Sequence, residues 1–183
     1  MAATVVINEW TSPGTITDKT SGEIRFKNAN NSTVDLVNPL VVPTSLREYS
    51  FEKYVRLEIT DEGGFTQIDN LRAYSDNSGW TGHANVKCWY AATGAFDTPA
   101  VPDETADPPQ STAAGSPQED MADFFGTSSG APIDMDAVNT GPFVNGSPTE
   151  HIGDFLVLVC EVEVGATAGI LATELLTFAY DEI

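Results

Sequence analysis

A chain of 183 residues with 41% hydrophobic side chains and a formal net charge of −19 has the size of one domain around one core. No apolar run approaches the roughly 20 residues that span a bilayer as a helix. A field this negative also repels nucleic-acid phosphates and anionic membrane surfaces. The charge is uneven: the first 87 residues hold all eight Lys and Arg, whereas residues 88–183 hold 16 Asp and Glu and no Lys or Arg. A saline surrounding, a basic partner and simple solubility each account for such a surface.

Residues 5–10 read as a first strand rather than a secretory leader, closed by the turn composition Thr11-Ser12-Pro13-Gly14. Residues 22–28 alternate, which predicts a strand with Ile24 and Phe26 inside and Glu23, Arg25 and Lys27 outside. A connection and a short run, 34–37, follow. Pro39 and Pro43 make Leu40, Val41 and Val42 an edge or bridging piece. Asn30, Asn31 and Asn145 begin Asn-x-Ser/Thr triplets; without a secretory signal these are read as chance matches.

The strongest local signal spans residues 50–74. Val55, Leu57 and Ile59 alternate with Tyr54, Arg56, Glu58 and Thr60, the period of a strand with one buried face. Asp61-Glu62-Gly63-Gly64 suits a turn, and a second run follows from Phe65 to Tyr74. The expectation is an antiparallel hairpin. A polar loop carrying Trp80 leads to a strand at 85–90, with Val86, Cys88 and Tyr90 on one side and Lys87 and Trp89 on the other.

Residues 93–150 change texture, with most of the prolines, ten acids and many small residues. Gln118 to Phe125 is the one helical fragment suggested, through Met121, Phe124 and Phe125. So long an irregular stretch is either a lid over its own sheet or an arm that orders against a neighbouring subunit, and because prolines and acids separate its apolar anchors the expectation is the arm. The arm reading makes Met121, Phe124, Phe125, Ile133, Met135, Phe143 and Val144 interface candidates, beside Trp80 and Trp89 as aromatic ones. Residues 155–164 begin wholly apolar, then alternate with Glu161 and Glu163 expected outside. The last strand, 175–180, places Leu176, Phe178 and Tyr180 together. The whole reads as a single all-β domain over 1–183, an antiparallel sandwich or jelly roll with a long irregular insertion at 93–150.

Chemistry is sparse. His83 and His151 are the only imidazoles, each expected in a loop, and no metal, phosphate-loop or nucleophile-elbow spacing occurs. Cys88 and Cys160 sit among apolar neighbours, which argues for buried reduced thiols rather than a Cys–His pair. A bridge between them requires α-carbons within about 7 Å. Paired carboxylates of the glycosidase kind need burial that these polar segments do not offer. The acid pairs Asp134/Asp136 and Asp120/Asp123 do not follow a calcium-loop pattern. No catalytic residue, cofactor or metal is expected, and the reading is not an enzyme.

Residues 54–60, residues 65–74, the long insert and the closing Thr177-Phe-Ala-Tyr-Asp-Glu-Ile183 together resemble small β-rich structural proteins of tailed-phage virions. The resemblance covers about half of the chain and has no catalytic residues to transfer. It implies a non-enzymatic, homo-oligomeric protein assembled in the host cytoplasm and resident in the virion. Its partners would be the major capsid protein or other virion proteins, and its expected role is capsid decoration. The alternative is a carbohydrate-binding or fibre-associated adhesion module using Trp80 and Trp89 on a glycan.

Overall fold

The structure, a computed structural model, describes residues 3–61, 64–77, 83–111, 120–145 and 151–183. Among them the chain is essentially all-β, in two antiparallel sheets packed as in a sandwich. The longest element, β10 (His151–Glu163), is central to the larger sheet. On one edge it pairs with β6 (Val86–Thr93), in register from Phe155↔Thr93 to Val162↔Val86. On the other it pairs with β4 (Lys53–Asp61) and, further along, with β3 (Arg47–Tyr49). Beyond β4 lie β1 (Thr4–Ser12) and β2 (Thr15–Asp18), and beyond β6 lies the two-residue β7 (Ala122–Asp123). The smaller sheet is built on β5 (Gln67–Ser75). It pairs with β11 (Leu176–Glu182) on one edge, and with β8 (Ile133–Asp134) and β9 (Phe143–Val144) on the other.

The expected hairpin does not form. β4 and β5 are both strands, as their alternation predicts, but they belong to different sheets and do not pair. Period-two patterning fixes which side chains share a face and carries no information about which strand lies alongside. The β4 chain leaves the larger sheet at its end and returns as the centre of the smaller one.

Both faces of the larger sheet are dry. On the inner face Val55, Leu57, Cys88, Ile152, Leu156, Leu158 and Cys160 pack towards Ile68, Leu71 and Ala73 of β5. On the outer face Tyr49, Tyr54, Phe155, Val157 and Val159 form a second core, covered by Trp10, Trp89, Phe96, Val101 and Met121. Tyr54, expected on a solvent side, is therefore fully buried. Phe96 enters the outer cluster edge-on to Tyr54, with ring centres 5.0 Å apart, and Trp10 meets Phe155 at 5.4 Å.

Against the intersubunit arm expected from sequence, the described parts of the insertion lie as a lid on the chain's own sheets. Residues 94–101 and Met121 cover the outer face, and Phe124, Ile133 and Met135 pass between the sheets into the inner core. The described part of the anticipated helix is instead β7 and a single 3-10 turn, Phe124–Gly126, capped by Asp123. The buried Asp154 carboxylate accepts the amides of Val138 and Asn139 at 2.9 and 2.8 Å, and Asn139 donates back to the carbonyls of Gly94 and Gly153. Gly153 is required there: its φ is +70°, and a Cβ would stand 2.5 Å from the Met135 carbonyl oxygen.

Residues 22–28 alternate without forming a strand. Ile24 and Phe26 do pack on the inner core, but Lys27 is buried rather than outside. Its ammonium donates to the Thr33 carbonyl at 2.7 Å and pairs with Asp35 at 3.0 Å. Two more buried lysines tie this irregular segment to the sheet. Lys53 reaches the Asn31 carbonyl at 2.8 Å, and Lys19 reaches those of Glu23 and Ser32 at 2.8 and 2.6 Å. Both lysines share Glu9, which has no exposure, at 2.9 and 3.4 Å. Side-chain ammonium groups here satisfy carbonyls that a strand would satisfy through its neighbour. Glu161, also expected outside, is fully buried, between Arg47, Lys87 and the Trp89 indole N–H.

Two outcomes follow from this construction. Glu9→Gln leaves two buried ammonium groups without their counter-charge and should cost about 3–5 kcal/mol. Urea unfolding measures it, and a change below about 1 kcal/mol would contradict the account. Deleting residues 100–145 removes Met121, Phe124, Ile133 and Met135, each worth about 1.5–3 kcal/mol when buried. That total rivals the whole stability of a domain, about 5–15 kcal/mol. The truncated chain should therefore aggregate on expression; a soluble, folded product would show that the insertion is not a lid.

Candidate functional site

The smaller sheet covers only one end of the inner face. Beyond it, residues 24–42 and 166–176 arch over Ile7, Val86, Cys88, Leu158, Cys160 and Val162 and enclose a cleft of about 840 Å³. Irregular chain cannot interdigitate with a pleated face as a second sheet does, so space remains beneath it. The floor is apolar. The rim is unusual: Leu36, Val37, Val41, Ile170 and Leu175 line the cleft yet are 66, 61, 62, 73 and 57% exposed. Isolated exposed aliphatics need no explanation, but five around one opening form a patch of the kind found at contact surfaces.

All eight cations are engaged inside the chain. Lys19 and Lys53 hold Glu9, Lys27 holds Asp35, and Arg25 holds Glu23. Arg47 spans Asp107 and Glu161, Arg72 meets Asp181, and Lys87 meets Glu161 and Glu163. Arg56 stacks over the Phe155 ring, 4.9 Å from its centre, and points its Nε at the Ile152 carbonyl. The acids greatly outnumber these partners over the whole chain, but the cleft lining is balanced, with Lys19, Arg25 and Lys27 beside Glu23, Asp35 and Glu174.

The interface candidates separate in space. Met121, Phe124, Ile133 and Met135 are buried in the chain's own cores and present no surface as placed. Phe125 and Phe143 are half-buried against the inner core, and Val144 is exposed. Trp89 is half-buried on the outer face, its indole N–H donating to Glu161 and the Lys87 ammonium 5.5 Å from its ring. Trp80 lies outside the described residues. The cleft rim was not singled out from sequence. Its signal was present as the run Val34–Val37 and the aliphatics Val41, Ile170 and Leu175 in segments without strand periodicity.

The candidate chemistries do not assemble. His151 opens β10 rather than lying in a loop. It stacks on Trp10 at 5.0 Å on the outer face, 3.6 Å from Glu58. Cys88 and Cys160 are free, buried and on the inner face, so no Cys–His pair exists with it. Burial pushes both thiols up, away from the thiolate. The acid pairs serve the backbone and their neighbours. Asp123 caps the 3-10 turn and Asp120 accepts from Gln110. Asp134 accepts the Asp136 amide, and Asp136 accepts the Leu71 amide. Burial and the neighbouring Asp134 raise the Asp136 pKa. Among the described residues no group of three or more His, Cys, Asp or Glu side chains is arranged to hold a metal, and no helix is long and apolar enough to cross a membrane.

With 27 acids against eight Lys and Arg, like charges at the surface repel through solvent. The internal pairs are shielded from that solvent and are screened less. The thermal midpoint should therefore rise between about 0.01 and 1 M salt. A flat or falling midpoint in differential scanning calorimetry would mean that the internal pairs, rather than surface repulsion, dominate the salt response.

No family model matches the chain, and neither a curated protein nor a solved structure is similar to it.

Proposed function

We propose that the protein is a non-enzymatic structural component of a virus particle, a decoration protein that stabilises the capsid shell by burying surface between neighbouring subunits. The observation that carries this reading is the apolar rim of Leu36, Val37, Val41, Ile170 and Leu175 around the cleft. The rim suits a partner that offers apolar side chains, and the net charge of −19 favours encounter with a basic one. The phage-protein resemblance of residues 54–60, 65–74, the long insert and 177–183 points the same way. A subunit that binds the assembled shell and not the free coat protein stabilises the shell by mass action, and needs no reacting group to do so.

The glycan-binding alternative rests on Trp80, which lies outside the described residues, and on Trp89. Trp89 is pinned by Glu161 and shaded by Lys87, and Trp10 is packed among Phe96, Phe155 and His151. Neither offers the open ring face on which a sugar stacks.

The test is made on particles. Virions purified from a host carrying this gene should contain the protein in a fixed ratio to the coat protein. Virions from a deletion strain should assemble, but lose their nucleic acid at a lower temperature. Absence of the protein from purified virions, or unchanged thermal release after deletion, would reject the proposal. In a second arm, Val37→Asp with Ile170→Asp should abolish rebinding to the deletion particles while leaving the circular dichroism spectrum intact. Rebinding at wild-type level would exclude the rim as the contact surface.

A further inference from the structure

Cys88 of β6 and Cys160 of β10 are direct cross-strand partners in the register of the larger sheet. The hydrogen bonds of Cys160 fix which kind of pair this is. Its N–H donates to the Ser50 hydroxyl at 3.0 Å, and its carbonyl accepts the Ser50 amide at 2.9 Å. In an antiparallel strand the N–H and C=O of one residue point to the same edge. Both groups of Cys160 are thus turned to the β3–β4 side, away from β6, and Cys88↔Cys160 is a non-hydrogen-bonded pair. Such pairs bring α-carbons to about 4.5 Å, inside the range of about 4.4–6.8 Å that a disulfide spans. Both side chains lie on the inner face and both line the cleft. The Cys160 thiol now rests 3.8 Å from the Glu161 carbonyl, so a rotation about its Cα–Cβ bond turns it towards Cys88.

We infer that Cys88 and Cys160 form a peroxide-oxidisable dithiol whose product is a cross-strand disulfide within the cleft. The oxidant is a peroxide because it is small and uncharged: it enters the cleft without opposing the net charge of −19. Burial favours the protonated form of both thiols, so in the first step the small thiolate fraction of one cysteine, raised by alkaline pH, attacks a peroxide oxygen. The O–O bond breaks, the departing hydroxide takes a proton to become water, and a sulfenic acid remains. In the second step the other thiol, losing its proton, attacks that sulfur and displaces the sulfenic oxygen as water, forming the S–S bond. Two thiols and one peroxide give one disulfide and two waters. The bond ties the central strand to its neighbour and closes a covalent loop around the whole insertion, residues 93–150. The two cysteines are otherwise unexplained by the sandwich, because any aliphatic of similar size would fill these positions.

The full chain, reduced and freed of reductant, is incubated with hydrogen peroxide at mildly alkaline pH, quenched, and weighed intact by mass spectrometry. The monomer should lose the mass of two hydrogens, and a non-reducing digest should yield one linked pair of peptides carrying Cys88 and Cys160. A phosphine reductant should restore the starting mass. Gain of oxygen atoms without loss of hydrogens, a disulfide-linked dimer, or an unchanged native chain under conditions that oxidise the urea-unfolded chain would each overturn the inference. This result requires no variant. In Cys160→Ser the remaining Cys88 should accumulate a sulfenic acid that dimedone traps, whereas the wild-type chain shows little adduct. Equal trapping in both chains would show that the second thiol does not resolve the first.

Discussion

Everything in this fold depends on β10 having two dry faces. Residues from Ile152 to Glu161 are buried without a break, so the larger sheet needs cover on both sides. One small sheet cannot supply it. Each buried Val, Leu or Phe is worth about 1.5–3 kcal/mol only while water stays out. The chain therefore recruits irregular segments: residues 94–101 with Met121 on the outer face, and residues 24–42 with 166–176 over the open end of the inner one. The unusual length of the insertion follows from this demand.

Irregular cover brings a polar cost. Backbone groups outside a ladder still need partners once they approach a core. The scarce cations meet part of that need. Lys19, Lys27 and Lys53 bind carbonyls of the segment above β1 and β4 and anchor it through Glu9 and Asp35, while Asp154 does the converse for the amides of Val138 and Asn139. Burial lowers the Lys53 pKa, and the Glu9 carboxylate offsets only part of that shift. Three of the eight cations are thereby buried in a chain that already carries 27 acids.

The same arrangement shapes what the molecule offers to others. Loose cover leaves the cleft and its aliphatic rim, on a chain of strongly negative net charge. Both suit recognition by surface burial, in which a few apolar anchors supply the affinity and the charge selects the partner. The two thiols on the cleft floor are a separate feature, set by strand register rather than by the rim.

The sequence by itself determined the all-β class, the positions of β1, β4, β5, β6, β10 and β11, and the inner-face parity of Val86, Cys88 and Tyr90. These depend on alternation within one strand, which is a local property. It did not determine partnership. β4 and β5 look like a hairpin and lie in different sheets, because pairing is decided by long-range burial. Nor did it separate buried from exposed charge: Lys27 and Glu161 read as solvent residues, and their burial rests on counter-charges brought near only by folding. The insertion had a legible boundary and legible anchors, but its role as a lid was decided by Phe96, Val101 and Met121 finding an outer face to cover. The rim of the cleft was the least legible feature. Its residues come from two segments more than 120 positions apart, and nothing local marks either as exposed until the tertiary structure sets them around one opening.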